Sequence, residues 1–114
     1  MSEGIGELRG FDLEGALARV GGNKNLYRKL LGMFTQKYKN SGEELDQLIS
    51  SGKMEEARGL AHTIKGVAGN IGAINLFEAA KVLNETLVTG GYTASQLEAF
   101  KTALLESITA AQEF

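Results

Sequence analysis

Cysteine and proline are both missing from this chain of 114 residues. Without cysteine there can be neither a disulfide nor a thiolate metal site, so a hydrophobic core must hold the fold together. Without proline nothing interrupts a long helix, and the ends of helices are left to the fifteen glycines. The missing residue types therefore favour long, uninterrupted helices.

Long apolar runs and a large excess of charge are missing too. No stretch approaches the ~18 apolar residues of a membrane span, and the first residues lack the charged-then-apolar order of a signal peptide. The formal net charge is −2, which argues against nucleic acid or an anionic membrane as the main partner. We expect a soluble, cytoplasmic monomer with a single core.

Apolar residues recur at helical spacing along most of the chain, and no segment alternates with the period of two that strands show. The second predicted helix, from about Asn23 to Lys39, carries an unusually wide apolar stripe. Candidate capping boxes open two other helices. These boxes pair Ser41 with Glu44 and Thr93 with Gln96.

Capping residues and glycines divide the pattern into six helices joined by short loops. Such loops make successive helices antiparallel, so we predict an all-α, up-down helical bundle with short accessory N-terminal helices. Residues 1–10 show little periodicity and are expected to form a tail or linker. Residues 11–114 are expected to form the helical bundle domain.

The chain has one histidine, His62, inside the fourth predicted helix. At ~100° per residue, the apolar stripe of this helix points roughly 140° away from His62, so the imidazole should face water. Three glycines share its outward face, although each costs about 1 kcal/mol relative to alanine within a helix. They are Gly59, Gly66 and Gly69, at i−3, i+4 and i+7, and the cations Arg58 and Lys65 flank the ring.

Residues 61–72 read Ala-His-Thr-Ile-Lys-Gly-Val-Ala-Gly-Asn-Ile-Gly. This segment resembles the signature of histidine-containing phosphotransfer (HPt) domains, in which Lys-Gly and later small residues follow the histidine. Phe11-Asp12, the stretch from Gly22 to Phe34 and the stretch from Leu76 to Leu83 are also similar to the family. The resemblance covers roughly residues 10–110, nearly the whole chain.

The resemblance implies a four-helix-bundle core and phosphorylation of the imidazole. It further implies exchange of the phosphoryl group with aspartates of receiver domains, in response regulators or hybrid sensor kinases. The partner would supply Mg²⁺ and the acidic cluster, so we expect no cofactor on this chain. No Gly-x-x-x-x-Gly-Lys-Ser/Thr loop is present, and we expect neither ATP binding nor self-phosphorylation.

The expected site has His62 as the phosphoacceptor, Lys65 as the charge partner of the phosphoryl oxygens and Gly66 as the residue that leaves clearance. Some relatives carry a glutamine where Asn84 stands, and it hydrogen-bonds the histidine; many bacterial ones carry a glutamate. Asparagine is a departure from both. A partner-docking face is expected from Arg58, Gly59, Gly69, Asn70 and Asn84.

Two other functions are compatible with a helical domain of this size. In an adaptor bundle the exposed histidine would be incidental to partner binding. In a hydrolase His62 would act as a general base, but no cysteine, second histidine or Ser/Asp constellation accompanies it. A zinc site is excluded in practice by one histidine and no thiol.

Overall fold

The structure, a computed structural model, describes residues 10–114, which form six α-helices. One isolated β-bridge joins Phe11 to Ala73, and these residues contain no strand. The predicted all-α class is confirmed. The helices are α1 (Leu13–Arg19), α2 (Lys24–Tyr38), α3 (Ser41–Ser50), α4 (Met54–Ile71), α5 (Ile74–Thr89) and α6 (Ala94–Gln112).

Side-chain caps begin three of the helices. The carboxylate of Asp12 accepts from the Gly15 amide at 3.1 Å, and the Asn23 side chain accepts from the Leu26 amide at 3.0 Å. The predicted box of Thr93 and Gln96 is confirmed, with both of its reciprocal hydrogen bonds present. Each cap satisfies amide donors that the first turn of a helix leaves without a partner.

The other predicted capping box, Ser41 with Glu44, is wrong. The N-cap of α3 is Asn40, whose carbonyl oxygen accepts from the Glu44 amide at 3.1 Å. Only two residues separate α2 from α3, so the new helix begins one residue early. Ser41 is thereby carried into its first turn and is 2% exposed.

Helix α4 lies at the centre of the packing. It packs along α5 and also contacts α1, α2 and α3, while α6 covers α5, α2 and α3. At the α3–α6 contact Lys101 Nζ lies 2.8 Å from Asp46 Oδ2, and hydrogen bonding to that carboxylate raises the pKa of Lys101. The largest fully buried side chains come from five helices: Tyr27, Leu31, Leu45, Ile64, Leu76, Leu83 and Phe100.

The two-residue turn between α4 and α5 is held in place by backbone hydrogen bonds to the segment before α1. The amide of Asp12 donates to the Gly72 carbonyl oxygen at 2.7 Å, and the amide of Ile74 donates to that of Gly10 at 3.0 Å. Gly72 has φ +80°, and a Cβ there would lie 2.6 Å from the Asp12 carbonyl oxygen. Glycine is therefore required by both the backbone conformation and the space.

Tyr27 fastens the same end of α4 to α2. Its hydroxyl donates to the carbonyl oxygen of Ile71 at 2.6 Å, which satisfies one of the acceptors that a helix C-terminus leaves open. Burial raises the pKa of Tyr27 to about 12, so the phenol remains a donor. The start of α2 and the end of α4 are thus held at one level.

The predicted N-terminal tail, residues 1–10, lies outside the described residues except for Gly10. Among the helices within residues 10–114, none combines the length and the apolar composition that crossing a membrane requires.

Replacing Gly72 with alanine should separate strain from steric clash when it is compared with Gly90→Ala. Both glycines have positive φ, but nothing lies within 4 Å of a Cβ on Gly90. Each substitution should cost about 1–2 kcal/mol for the left-handed backbone. Gly72→Ala should cost roughly 1–3 kcal/mol more for overpacking against α1. Denaturant unfolding of both variants measures the difference. Equal losses in the free energy of unfolding would contradict the close packing of the turn against the start of α1.

Candidate functional site

Helix α4 presents His62 to solvent, as predicted. The buried residues of α4 lie on the opposite side of the helix, where they meet the core: Ala57, Ala61, Ile64, Ala68 and Ile71. His62 is exposed, and its ring makes no hydrogen bond to the residues that the structure describes. The imidazole is therefore accessible to a partner.

The three glycines near His62 are not equivalent. A Cβ added to Gly59 or Gly66 would meet nothing within 4 Å, so both leave open space on the face of α4 that carries His62. A Cβ added to Gly69 would lie 3.4 Å from Cδ1 of Phe77, in ordinary contact with α5. The expected clearance thus exists at Gly59 and Gly66, while Gly69 lies at the junction of two helices.

The proximity of Gly69 to Phe77 shows how α5 is aligned along α4. His62 lies seven residues before Gly69, and Asn84 lies seven residues after Phe77. Because the two helices are antiparallel and each rises 1.5 Å per residue, His62 and Asn84 lie at about the same height. Asn84 is half-buried, and its Oδ1 is buried with no hydrogen-bond partner among residues 10–114.

The two cations expected beside His62 differ in their pairing. Arg58 donates from Nε and NH2 to the Glu55 carboxylate, at 3.2 and 2.8 Å. This exposed pair offsets much of the charge that Arg58 would bring. Lys65 is half-buried, and no carboxylate of the described residues lies within ion-pair distance of its ammonium. Within residues 10–114, Lys65 is therefore the cation of α4 that has no anionic partner.

The sequence pattern did not predict that a second lysine lies near His62. Lys81 lies four residues after Phe77 on α5, as Lys65 lies four residues before Gly69 on α4, so the two lysines share one level. Lys81 is exposed and, like Lys65, is not paired with a described carboxylate. Only the register of α5 against α4 places it beside the histidine helix, and that register is not visible in local periodicity.

An apolar groove on the other side of α4 was also missed. It has a volume of about 390 Å³ and lies between α2, the end of α1 and the last turns of α4. Asn70 lines it from α4, and Met33, 59% exposed, lines it from α2. The wide apolar stripe on α2 could have indicated this groove from the sequence. A stripe wider than the surface that the core covers leaves some of its apolar side chains exposed. Leu30, Phe34, Val67 and Ile71 contribute further apolar surface, and Arg19 and Lys37 contribute cations.

Within the described residues, no group of three or more His, Cys, Asp and Glu side chains is arranged to hold a metal ion. The candidate site consists of one imidazole, two lysines that have no carboxylate partner among residues 10–114, and open space above two glycines.

A family model described as "Hpt domain" matches residues 29–114, about three quarters of the chain. The chain belongs to the Hpt domain family. The match runs from within α2 to the end of α6 and includes His62 together with all the other site residues predicted from the sequence. Comparisons with curated proteins and with solved structures give no significant match.

Membership explains the type of arrangement seen around His62. Hpt domains carry phosphoryl groups on histidine in phosphorelays, act as carriers rather than kinases and interact with receiver domains. A carrier needs an exposed nucleophile, nearby positive charge and room for a second protein. This Hpt domain has each of these features on the outer face of α4.

Gly66→Ala should stabilise this Hpt domain while impairing phosphotransfer. Nothing opposes the added methyl group within the fold, so the helix should gain up to about 1 kcal/mol. The same methyl group would project from the face of α4 that carries His62, where a receiver must approach, and transfer from a phosphorylated receiver should slow by roughly tenfold or more, since a 1 Å misplacement can cost about 100-fold.

Gly32→Ala is the matched control for Gly66→Ala. Gly32 lies within α2, away from His62, and an added Cβ there also meets nothing within 4 Å. It should raise the melting temperature without slowing transfer. Wild-type transfer by Gly66→Ala would show that the open space beside the ring has no role in docking.

Proposed function

We propose that this Hpt domain is a phosphocarrier of a multistep phosphorelay, with His62 as its phosphoacceptor. The observation that carries the proposal is the position of the chain's single histidine on the open face of α4, beside a glycine that leaves room for a partner. The phosphoryl group would pass between the aspartates of receiver domains in response regulators or hybrid sensor kinases. Family membership supports the class of reaction, and the accessible imidazole supports the residue.

Transfer to His62 is a displacement at phosphorus. The lone pair of the unprotonated ring nitrogen forms a bond to the phosphorus of a receiver's aspartyl phosphate. The bond between phosphorus and the aspartate oxygen breaks, and its electron pair leaves with the carboxylate. The other ring nitrogen keeps its proton, and the reverse displacement delivers the phosphoryl group to the next receiver.

Lys65 is the proposed charge partner of the phosphoryl oxygens. Phosphoryl transfer depends mainly on positioning and on neutralisation of charge, so an ammonium one turn from the imidazole, with no carboxylate partner among the described residues, is well suited to the task. Lys81 at the same level on α5 adds a second positive charge. Arg58 is the weaker candidate, because its guanidinium already pairs with Glu55.

Asn84 is the proposed orienting residue of the imidazole. It lies at the level of His62, and its carbonyl oxygen has no donor among the described residues. An acceptor for one ring N–H would fix which nitrogen carries the proton and leave the other lone pair free. The shorter side chain distinguishes this site from the glutamine of some relatives and requires the ring to approach α5 more closely.

The docking face proposed for the receiver covers the outer side of α4 and its junctions with α2 and α5. We treat α2, α4, α5 and α6 as an up-down four-helix bundle that supports this face, with α1 and α3 as accessory helices. The residues Arg58, Gly59, Gly69, Asn70 and Asn84 would contact the receiver. We further propose that the domain is a cytoplasmic monomer that lacks an ATP site and relies on Mg²⁺ bound by the receiver.

His62→Gln should abolish labelling by a phosphorylated receiver. Glutamine keeps the residue polar at an exposed position, so the thermal melt should stay near that of the wild type. The wild-type label should be acid-labile and alkali-stable, as expected of a phosphoramidate. Gel autoradiography after transfer in the presence of Mg²⁺ measures both properties, and Gly32→Ala serves as the labelled control.

Labelling of His62→Gln at the wild-type level would rule out the carrier function at this residue. If the wild type bound a receiver but took up no label, an adaptor bundle with an incidental histidine would be the better account.

A further inference from the structure

The basic residues of the chain are unevenly distributed. Residues 15–42 contain six Lys and Arg and no Asp or Glu, whereas the remaining residues contain the other six basic residues and all fourteen acidic ones. The segment thus carries +6 and the rest −8, within a total of −2. The six cations, all exposed, are Arg19, Lys24, Arg28, Lys29, Lys37 and Lys39.

None of these six cations lies within ion-pair distance of an Asp or Glu carboxylate in residues 10–114, although Arg28 donates from NH2 to the Phe114 oxygen at 3.4 Å, away from the groove. The charged side chains of α2 are therefore all positive, whereas the net charge of the whole protein is negative. Such segregation produces a positive potential near α2 that the small net charge conceals.

Two of the cations lie at opposite ends of the apolar groove between α2 and α4. Arg19 donates to the carbonyl oxygen of Asn70 at 3.3 Å, near the C-terminal end of α4. Lys37 lines the groove from the last turn of α2. The hydrogen bond of Tyr27 holds the start of α2 at the level of Ile71. Lys37 lies ten residues after Tyr27, so it is about 15 Å farther along the axis of α2.

We propose that this groove binds a surface helix of the receiver, here called its docking helix, that it selects receivers in which this helix is acidic as well as apolar, and that Arg19 and Lys37 are the residues that select it. The inference rests on the proposed function. An apolar floor between two helices fits the apolar face of a third helix, and cations at both ends favour carboxylates on its edges. A receiver also brings the carboxylates around its acceptor aspartate, so the charges of the two proteins are complementary.

A matched pair of substitutions tests the selection by charge. Lys37 and Lys39 are both exposed and only two residues apart, but Lys39 lies at the junctions of α2 with α3 and α6, outside the groove. Lys37→Glu and Lys39→Glu change the net charge equally. The probes are receiver domains from the same organism, phosphorylated with acetyl phosphate, and the measurement is the second-order rate constant of transfer to His62.

The receiver that transfers fastest to the wild type should carry a net negative docking helix. Lys37→Glu should slow that transfer by about threefold to tenfold at 0.1 M salt, because a charge at the rim of an interface acts mainly on the association rate. Lys39→Glu should stay within about twofold of the wild type. Raising the salt to about 1 M, where the Debye length is roughly 3 Å, should remove most of the difference.

Labelling of the wild type by phosphoramidate alone separates the two possible failures. If His62 takes the label and the two variants transfer at equal rates at every salt concentration, the inference is wrong and the proposed function stands. If His62 takes no label from phosphoramidate or from any receiver, the proposed function fails and the inference falls with it.

Discussion

The packing of α4 against α5 through a two-residue turn is the constraint on which the site depends. Gly72 turns the chain in the left-handed conformation, and the segment before α1 holds the turn by two backbone hydrogen bonds. With the turn fixed, Gly69 lies beside Phe77, four residues from Ala73 on either side, and the register of the two helices follows. That register brings Asn84 to the level of His62 and Lys81 to the level of Lys65.

The exposure of His62 is a consequence of how α4 is buried. Its core face is built from small and aliphatic residues that let neighbouring helices approach closely, and nothing in the described fold covers the opposite face. Gly59 and Gly66 weaken the helix locally, and neither glycine is required by packing. Their cost is understandable if the space they leave is used by another protein.

The sequence was sufficient for the helices and for the direction of His62, because both depend on periodicity within one segment. It was insufficient wherever two segments meet. Local pattern placed Gly69 on the open face, and only the register against α5 shows its contact with Phe77. The pairing of Arg58 with Glu55 depends on the side-chain conformations of these two residues. The early start of α3 at Asn40 depends on the linker of only two residues that precedes it. The groove beside Met33 depends on how far apart α2 and α4 lie.

The central claim is that the imidazole of His62 carries the phosphoryl group, and nitrogen-detected NMR of that ring tests it most directly. Since the chain has a single histidine, a sample labelled with ¹⁵N in histidine gives the signals of one imidazole. After addition of a phosphorylated receiver and Mg²⁺, one ring nitrogen should shift and show coupling to ³¹P. An unchanged ring spectrum, while the receiver loses its phosphoryl group to this protein, would contradict the account.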